Sequence, residues 1–107
     1  MNDEITIISS QNYIDDDIVT EKIDNNDYEV LISPSFEIDG KFYSVLLDGH
    51  HSLAAARASG VEPVIEKATI QDDHNISLLE DGLIDDYLEV HYIDTDWYDI
   101  DTGVNVF

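Results

Sequence analysis

The chain has no cysteine, which excludes a disulfide framework, a thiolate zinc site and a thiol nucleophile and leaves its redox compartment unmarked. Bases are nearly as scarce: 4 Lys+Arg stand against 25 Asp+Glu, for a formal net charge of -21 at pH 7. A surface of that sign opposes phosphate, so direct binding to DNA, RNA or an anionic membrane is not expected, and basic proteins or metal cations are the favoured partners. No apolar run approaches the roughly 18 residues of a membrane span. Met1 to Ser10 holds two acids and no base, so no export signal is expected either, and the chain reads as soluble and cytoplasmic. Proline is limited to 2 residues and glycine to 5, with no linker, repeat or low-complexity tract. What is present is 43% hydrophobic and 9% aromatic in 107 residues, enough for one core and too little for two, so residues 1–107 read as a single domain.

Along the chain, Ile5, Ile7 and Ile8 predict a strand ended by the turn-prone Ser9, Ser10 and Asn12. Tyr13 to Ile23 predicts a helix whose start suits the acidic trio Asp15, Asp16 and Asp17, and Asp24 to Asp27 breaks it. Strands follow at Tyr28 to Ile38 and Lys41 to Leu47, joined as a hairpin at Asp39-Gly40, with Pro34 forcing a bulge or an edge position. Ser52 to Ser59 predicts an alanine-rich helix closed by Gly60, and Val61 to Thr69 a strand, in the order of a βαβ unit. Ile76 to Leu88 reads as one helix interrupted at Gly82 or as two short ones, and Glu89 to Phe107 as a closing hairpin. The fold class is α/β (α+β): a small mixed sheet with a β-hairpin and packed helices.

One segment has the local chemistry of a site. Leu47-Asp48-Gly49-His50-His51-Ser52 sets a strand end and a glycine turn against a helix N-terminus, where unpaired backbone N–H groups and the positive dipole end suit a phosphate or carboxylate. Gly49 allows close approach, Asp48 can hold Mg²⁺ beside a phosphate, and His50 or His51 can donate to an oxyanion or move a proton. The same residues also make an ordinary helix start, with Ser52 or Asp48 as cap and the histidines solvated or hydrogen-bonded. Two other groupings carry less. Asp94, Asp96, Asp99, Asp101 and Gly103 suggest calcium, but a loop begun at Asp94 puts Ile100 where an EF-hand needs glycine and Asn105 where it needs glutamate. Trp97 and Tyr98 read as one buried and one exposed strand residue. His74, near a helix start, and His91, in a strand, stand too far from the pair His50 and His51 in sequence to argue a metal site.

The run Leu46-Leu47-Asp48-Gly49-His50-His51-Ser52-Leu53-Ala54-Ala55-Ala56, then Gly60 and Pro63-Val64-Ile65, resembles the core motif of the ParB/sulfiredoxin-like superfamily: a strand, D-G-H-x-R, an alanine-rich helix and a strand opening with Pro-Val. The resemblance covers residues 28–69, the motif-bearing core; the acidic part, 70–107, carries no superfamily motif. It implies that Asp48, Gly49, His50 and His51 face a nucleotide phosphate or its metal. Ser52 stands where the motif has arginine, so the planar cation that would clamp phosphate is missing. Arg57 is expected to point away from the turn. Nucleotide binding would then lean on Mg²⁺ for positive charge. Sulfiredoxin chemistry is excluded by the missing cysteine, and a role in DNA segregation by the lack of space and charge for a DNA-binding domain.

The acids are spread through the chain, 12 up to Leu53 and 13 after it. Such a surface serves solubility in a salt-rich cytoplasm, or imitates nucleic acid before a basic groove, as phage and plasmid inhibitors do. The expected function is therefore a phosphate-bearing ligand bound at the Asp48-Gly49-His50-His51 turn, with Ser52 beside it and Mg²⁺ at Asp48. The alternative is an acidic inhibitor or accessory protein on a basic protein surface. Glu37 and Asp48 are the candidate catalytic bases by position, and no catalytic step is assigned.

Overall fold

In a computed structural model that describes residues 4–107, Asp39 and Gly40 both sit at positive φ, 52° and 81°. That turn matches the twist of a two-residue hairpin, and it joins β3 (Phe36–Ile38) to β4 (Lys41–Asp48) as the Asp-Gly pair predicts. The eight residues of β4 are the spine of a six-stranded mixed sheet. One edge of β4 pairs in parallel with β1 (Ile5–Ser9), from Ile5 opposite Phe42 to Ile8 opposite Val45. The other edge carries β3 and β2 (Glu29–Ile32), both antiparallel, with a bulge between Leu31 and Ile32.

The strand expected from Tyr28 to Ile38 is thus two strands, cut at Ser33-Pro34-Ser35. Pro34 has no N–H to give, and the flanking Ser33 closes the gap. Its backbone N–H donates to Val45 O at 2.9 Å, and its hydroxyl accepts the Val45 N–H at 2.9 Å. A side chain thereby replaces the carbonyl that the bulge takes away.

Beyond β4, the helix α2 (His50–Ser59) leads to β5 (Val64–Lys67), which lies parallel to β2 at the sheet's outer edge. Since β2 is antiparallel to β4, β4 and β5 run in opposite directions and are not neighbours. The strand-helix-strand order is therefore not a parallel βαβ crossover: β2, laid down earlier, already occupies the place beside β4. β5 is also shorter than the stretch Val61 to Thr69 expected for it.

Alternation along the strands sorts two cores. Ile8, Phe36, Tyr43 and Val45 face Ile76, Tyr87 and Leu88 of the helices α3 (Ile76–Glu80) and α4 (Ile84–His91). Val30, Ile32 and Leu46 face Leu53 of α2, each such buried aliphatic contributing about 1.5–3 kcal/mol. Ala55 and Ala56, fully buried, hold α2 close to its neighbours, and α1 (Asp16–Asp24) packs on α2. Asp15 caps α1 by accepting the Asp17 N–H, as the acidic trio predicts.

Gly82, at φ 78°, separates α3 from α4. α4 continues through Val90 and His91, which the Val90-Tyr92 alternation had placed in a strand; Ile84, Tyr87, Leu88 and His91 share a helical face instead. The closing hairpin is confined to Trp97–Val106, around β6 (Tyr98–Asp99) and the Tyr98–Asn105 bridge. Trp97 and Tyr98 are both half-buried there, not one in and one out. Among the described residues no helix is long and apolar enough to cross a membrane.

Candidate functional site

β4 ends beside β2, with Asp48 opposite Leu31, and the turn that follows packs against the β2 backbone. Gly49 makes this turn at φ 101°. A Cβ at this position would lie 2.6 Å from Glu29 O and 2.9 Å from Val30 Cα, so glycine is a steric requirement here. The turn starts α2 at His50, two residues earlier than the alanine run predicts, and both histidines enter the first helical turn. No side chain caps that turn. Neither expected cap serves: the Asp48 Oδ1 accepts the Gly49 N–H at 2.8 Å, and the Ser52 hydroxyl donates to Asp27 Oδ1 at 3.3 Å. The first N–H groups of α2 are left to whatever fills the space before them.

That space is a cleft of about 440 Å³ between α1, α2 and the end of the sheet. Asp48, Gly49, His50, His51 and Ser52 all line it, joined by Gln11, Ile18, Lys22, Asp27, Glu29 and Leu47. The five residues singled out from sequence are therefore brought together. Their side chains are also tied into the fold. His50 Nε2 lies 2.6 Å from the hydroxyl of buried Ser9, which in turn accepts the Gln11 N–H. Burial, with His51 as a second cause, holds His50 below the usual histidine value, so it is neutral at pH 7. His51 Nε2 accepts the Asp15 N–H at 3.1 Å, which puts its ring proton on Nδ1. His51 thus links the start of α1 to the start of α2, and Ser52 is buried.

Lys22 is the site residue that local motifs miss. Its ammonium, from the last turn of α1, is 2.9 Å from Asp27 Oδ2. The hydrogen bond to Asp27 raises Lys22 above its ordinary value, and the same bond, then the Glu29 N–H, lowers Asp27. A cation therefore stands at the cleft although Ser52 replaces the motif's arginine. The available signal was its isolation: Lys22 is the sole Lys or Arg before Lys41. Against it stand Asp27, Glu29 and Asp48, so the cleft is net acidic.

Other expected participants lie elsewhere. Arg57 points away from the turn, donating to Ile100 O at 2.9 Å and Asp101 at 3.0 Å. Glu37 pairs opposite Phe42, at the far end of β4 from Asp48, so only Asp48 of the two candidate bases is at the cleft. Several of the calcium-like acids are drawn into other contacts: Asp94 accepts the Asn12 N–H, Asp99 the Asp101 N–H, and Asp101 pairs with Arg57. No group of three or more metal-ligating side chains occurs among the described residues.

A second polar cluster lies under α4. Asp73 Oδ2 accepts the Tyr87 hydroxyl and meets His91 Nε2, each at 2.8 Å. Burial, then Asp73, pushes the Tyr87 hydroxyl far up from its usual value. A cavity of about 340 Å³ beside it is lined by Leu31, Leu47, Asp48, Asp72, Asp73 and His91. Reading His91 as a strand residue concealed this pairing.

No protein-family model, curated protein or solved structure matches the chain.

Proposed function

We propose that the Asp48–Ser52 cleft binds a phosphate-bearing ligand, a nucleotide carried with Mg²⁺, in a domain of the ParB/sulfiredoxin-like kind. The observation that carries this reading is the uncapped start of the ten-residue helix α2 on the same cleft as the Lys22 ammonium. Backbone N–H groups, the helix dipole and a lysine are the usual means of holding phosphate. The acids set a condition on the ligand. Asp27 neutralises much of Lys22, and Glu29 and Asp48 add negative charge, so a bare phosphate is opposed.

Magnesium resolves this, and the donor set fits a particular form of it. Among the described residues no group of three metal-ligating side chains is assembled, so Asp48 would hold the ion by a single carboxylate, and the ion would supply the positive charge that the phosphates need. Asp48 is the exposed carboxylate of the turn, with one oxygen on the Gly49 N–H. Gly49 lets the turn pack on the β2 backbone, while His50 and His51 fix the positions of the first-turn N–H groups through Ser9 and Asp15. The proposal is one of binding; no reaction step is assigned to these residues.

Isothermal titration with ATP, ADP and CTP, with and without Mg²⁺, tests it at a salt concentration that damps the protein's field. The expected result is micromolar, Mg²⁺-dependent affinity that Asp48→Ala removes. Absence of binding up to millimolar nucleotide overturns the reading.

A further inference from the structure

β5 is an outer strand whose free edge is unpaired. Val64, Glu66 and Ala68 turn their backbone N–H groups toward β2: Val64 N–H donates to Tyr28 O at 2.9 Å and Ala68 N–H to Ile32 O at 2.8 Å. By the alternation of a parallel ladder, the N–H and C=O groups of Ile65 and Lys67 point away from the sheet. Among the described residues no strand pairs with that side. Neither face of β5 is covered, since all four residues are exposed. Val64 is 52% and Ile65 49% exposed, with Val61 nearby at 42%. Edge strands are normally protected by shortness, charge, proline, a bulge or a covering loop, and of these β5 has its four-residue length and the charges of Glu66 and Lys67 at its far end. Pro63 stops short of the strand, and β5 itself has an apolar pair at its start.

From this juxtaposition of an unpaired backbone edge and exposed Val64 and Ile65, we propose that β5 is a docking edge for an extended, basic segment of another protein, which adds to the sheet as a further strand. Main-chain hydrogen bonds to Ile65 and Lys67 set the pairing, and apolar side chains at alternate positions cover Val64 or Ile65. The charge of the occupant follows from the molecule. Glu62 and Glu66 flank the apolar pair and Glu29 is opposite Val64, against the one base Lys67, and the chain carries -21 overall. A second copy would bring another -21 to the edge, whereas lysine or arginine side chains on an incoming strand meet an attractive field. This surface stands apart from the nucleotide reading, because neither Ile65 nor Lys67 lines the Asp48–Ser52 cleft.

The probe is a blocked seven-residue peptide of alternating lysine and valine, with an equally charged peptide that has proline at each valine position as control. Binding is followed by titration and by amide hydrogen exchange. The expected result is that only the lysine-valine peptide slows exchange at Ile65 and Lys67, and that Ile65→Pro weakens its binding about tenfold by removing an outward donor. Ile65→Lys keeps the backbone donor and weakens binding through charge and lost apolar contact, so it decides the matter if the proline variant fails to fold. Equal binding of the two peptides, no binding of either, or indifference to both substitutions overturns the proposal. Protection of Ile65 and Lys67 that grows with protein concentration without peptide also overturns it, in favour of a second copy.

Discussion

Two polar clusters flank Asp48, and they use similar residues to opposite ends. On the α2 side, His50, His51, Lys22 and Asp27 surround an open cleft, and each histidine commits one ring nitrogen to the scaffold. On the α4 side, Asp73 and His91 line a second cavity and meet the hydroxyl of fully buried Tyr87, so the cluster is anchored in the core. The α4 cluster has the more perturbed group, Tyr87. The α2 cluster has an uncapped helix start. The starts of α3 and α4 lack a side-chain cap as well, so what sets the proposed site apart is that its helix start shares a cleft with the Lys22 ammonium.

The comparison is broken most severely at the turn. Gly49→Ala drives a Cβ into Glu29 O and is strained at φ 101°, so it should cost about 2–4 kcal/mol in urea unfolding and abolish nucleotide binding together. Next in size, Tyr87→Phe removes the hydroxyl from Asp73 and should cost about 1–3 kcal/mol while leaving Mg²⁺-nucleotide affinity unchanged. A fall in affinity would mean that the two clusters are coupled through Asp48. Lys22→Met reverses the pattern: its partly exposed pair with Asp27 is worth about 0–1 kcal/mol, but nucleotide affinity should drop about tenfold, which titration and unfolding measure separately.

The smallest expected effect is one of pH. Burial lowers the His50 pKa in the folded state, so the unfolded chain binds the proton more readily and stability falls as pH drops below the ordinary histidine value of 6.5. His50→Asn should lose less stability than the parent chain between neutral pH and that lower range. Parallel stability curves for the two would show that the Ser9–His50 contact is indifferent to protonation.

What could be read from sequence was local. Asp39-Gly40 demands positive φ at both positions, Gly60 and Gly82 end helices, and Gly49 turns the chain from a strand into a helix. These features act within a few residues, and the structure has them all. The mixed sheet with its packed helices followed from counting such units. Lys22 and Asp27 escaped because they reach the cleft through the packing of α1 on α2, a long-range event that leaves no spacing signature. Asp27 had been read only as a helix breaker. The order β5-β2-β4 was hidden for a similar reason, since strand, helix and strand follow in the chain whether or not the two strands become neighbours. Val90 and His91 were misread because two alternating apolar residues weigh little against the helical face shared by Ile84, Tyr87 and Leu88.

Ser33 engages Val45 twice, through its amide and its hydroxyl. Sliding β4 along its partners would forfeit both bonds at once, which makes this serine a ratchet pawl on the sheet. The alignment it enforces is inherited three residues later by Asp48, so the placement of the cleft's exposed carboxylate is decided in the middle of the sheet. A Ser33→Ala chain could keep its core and still deliver Asp48 out of step with α1.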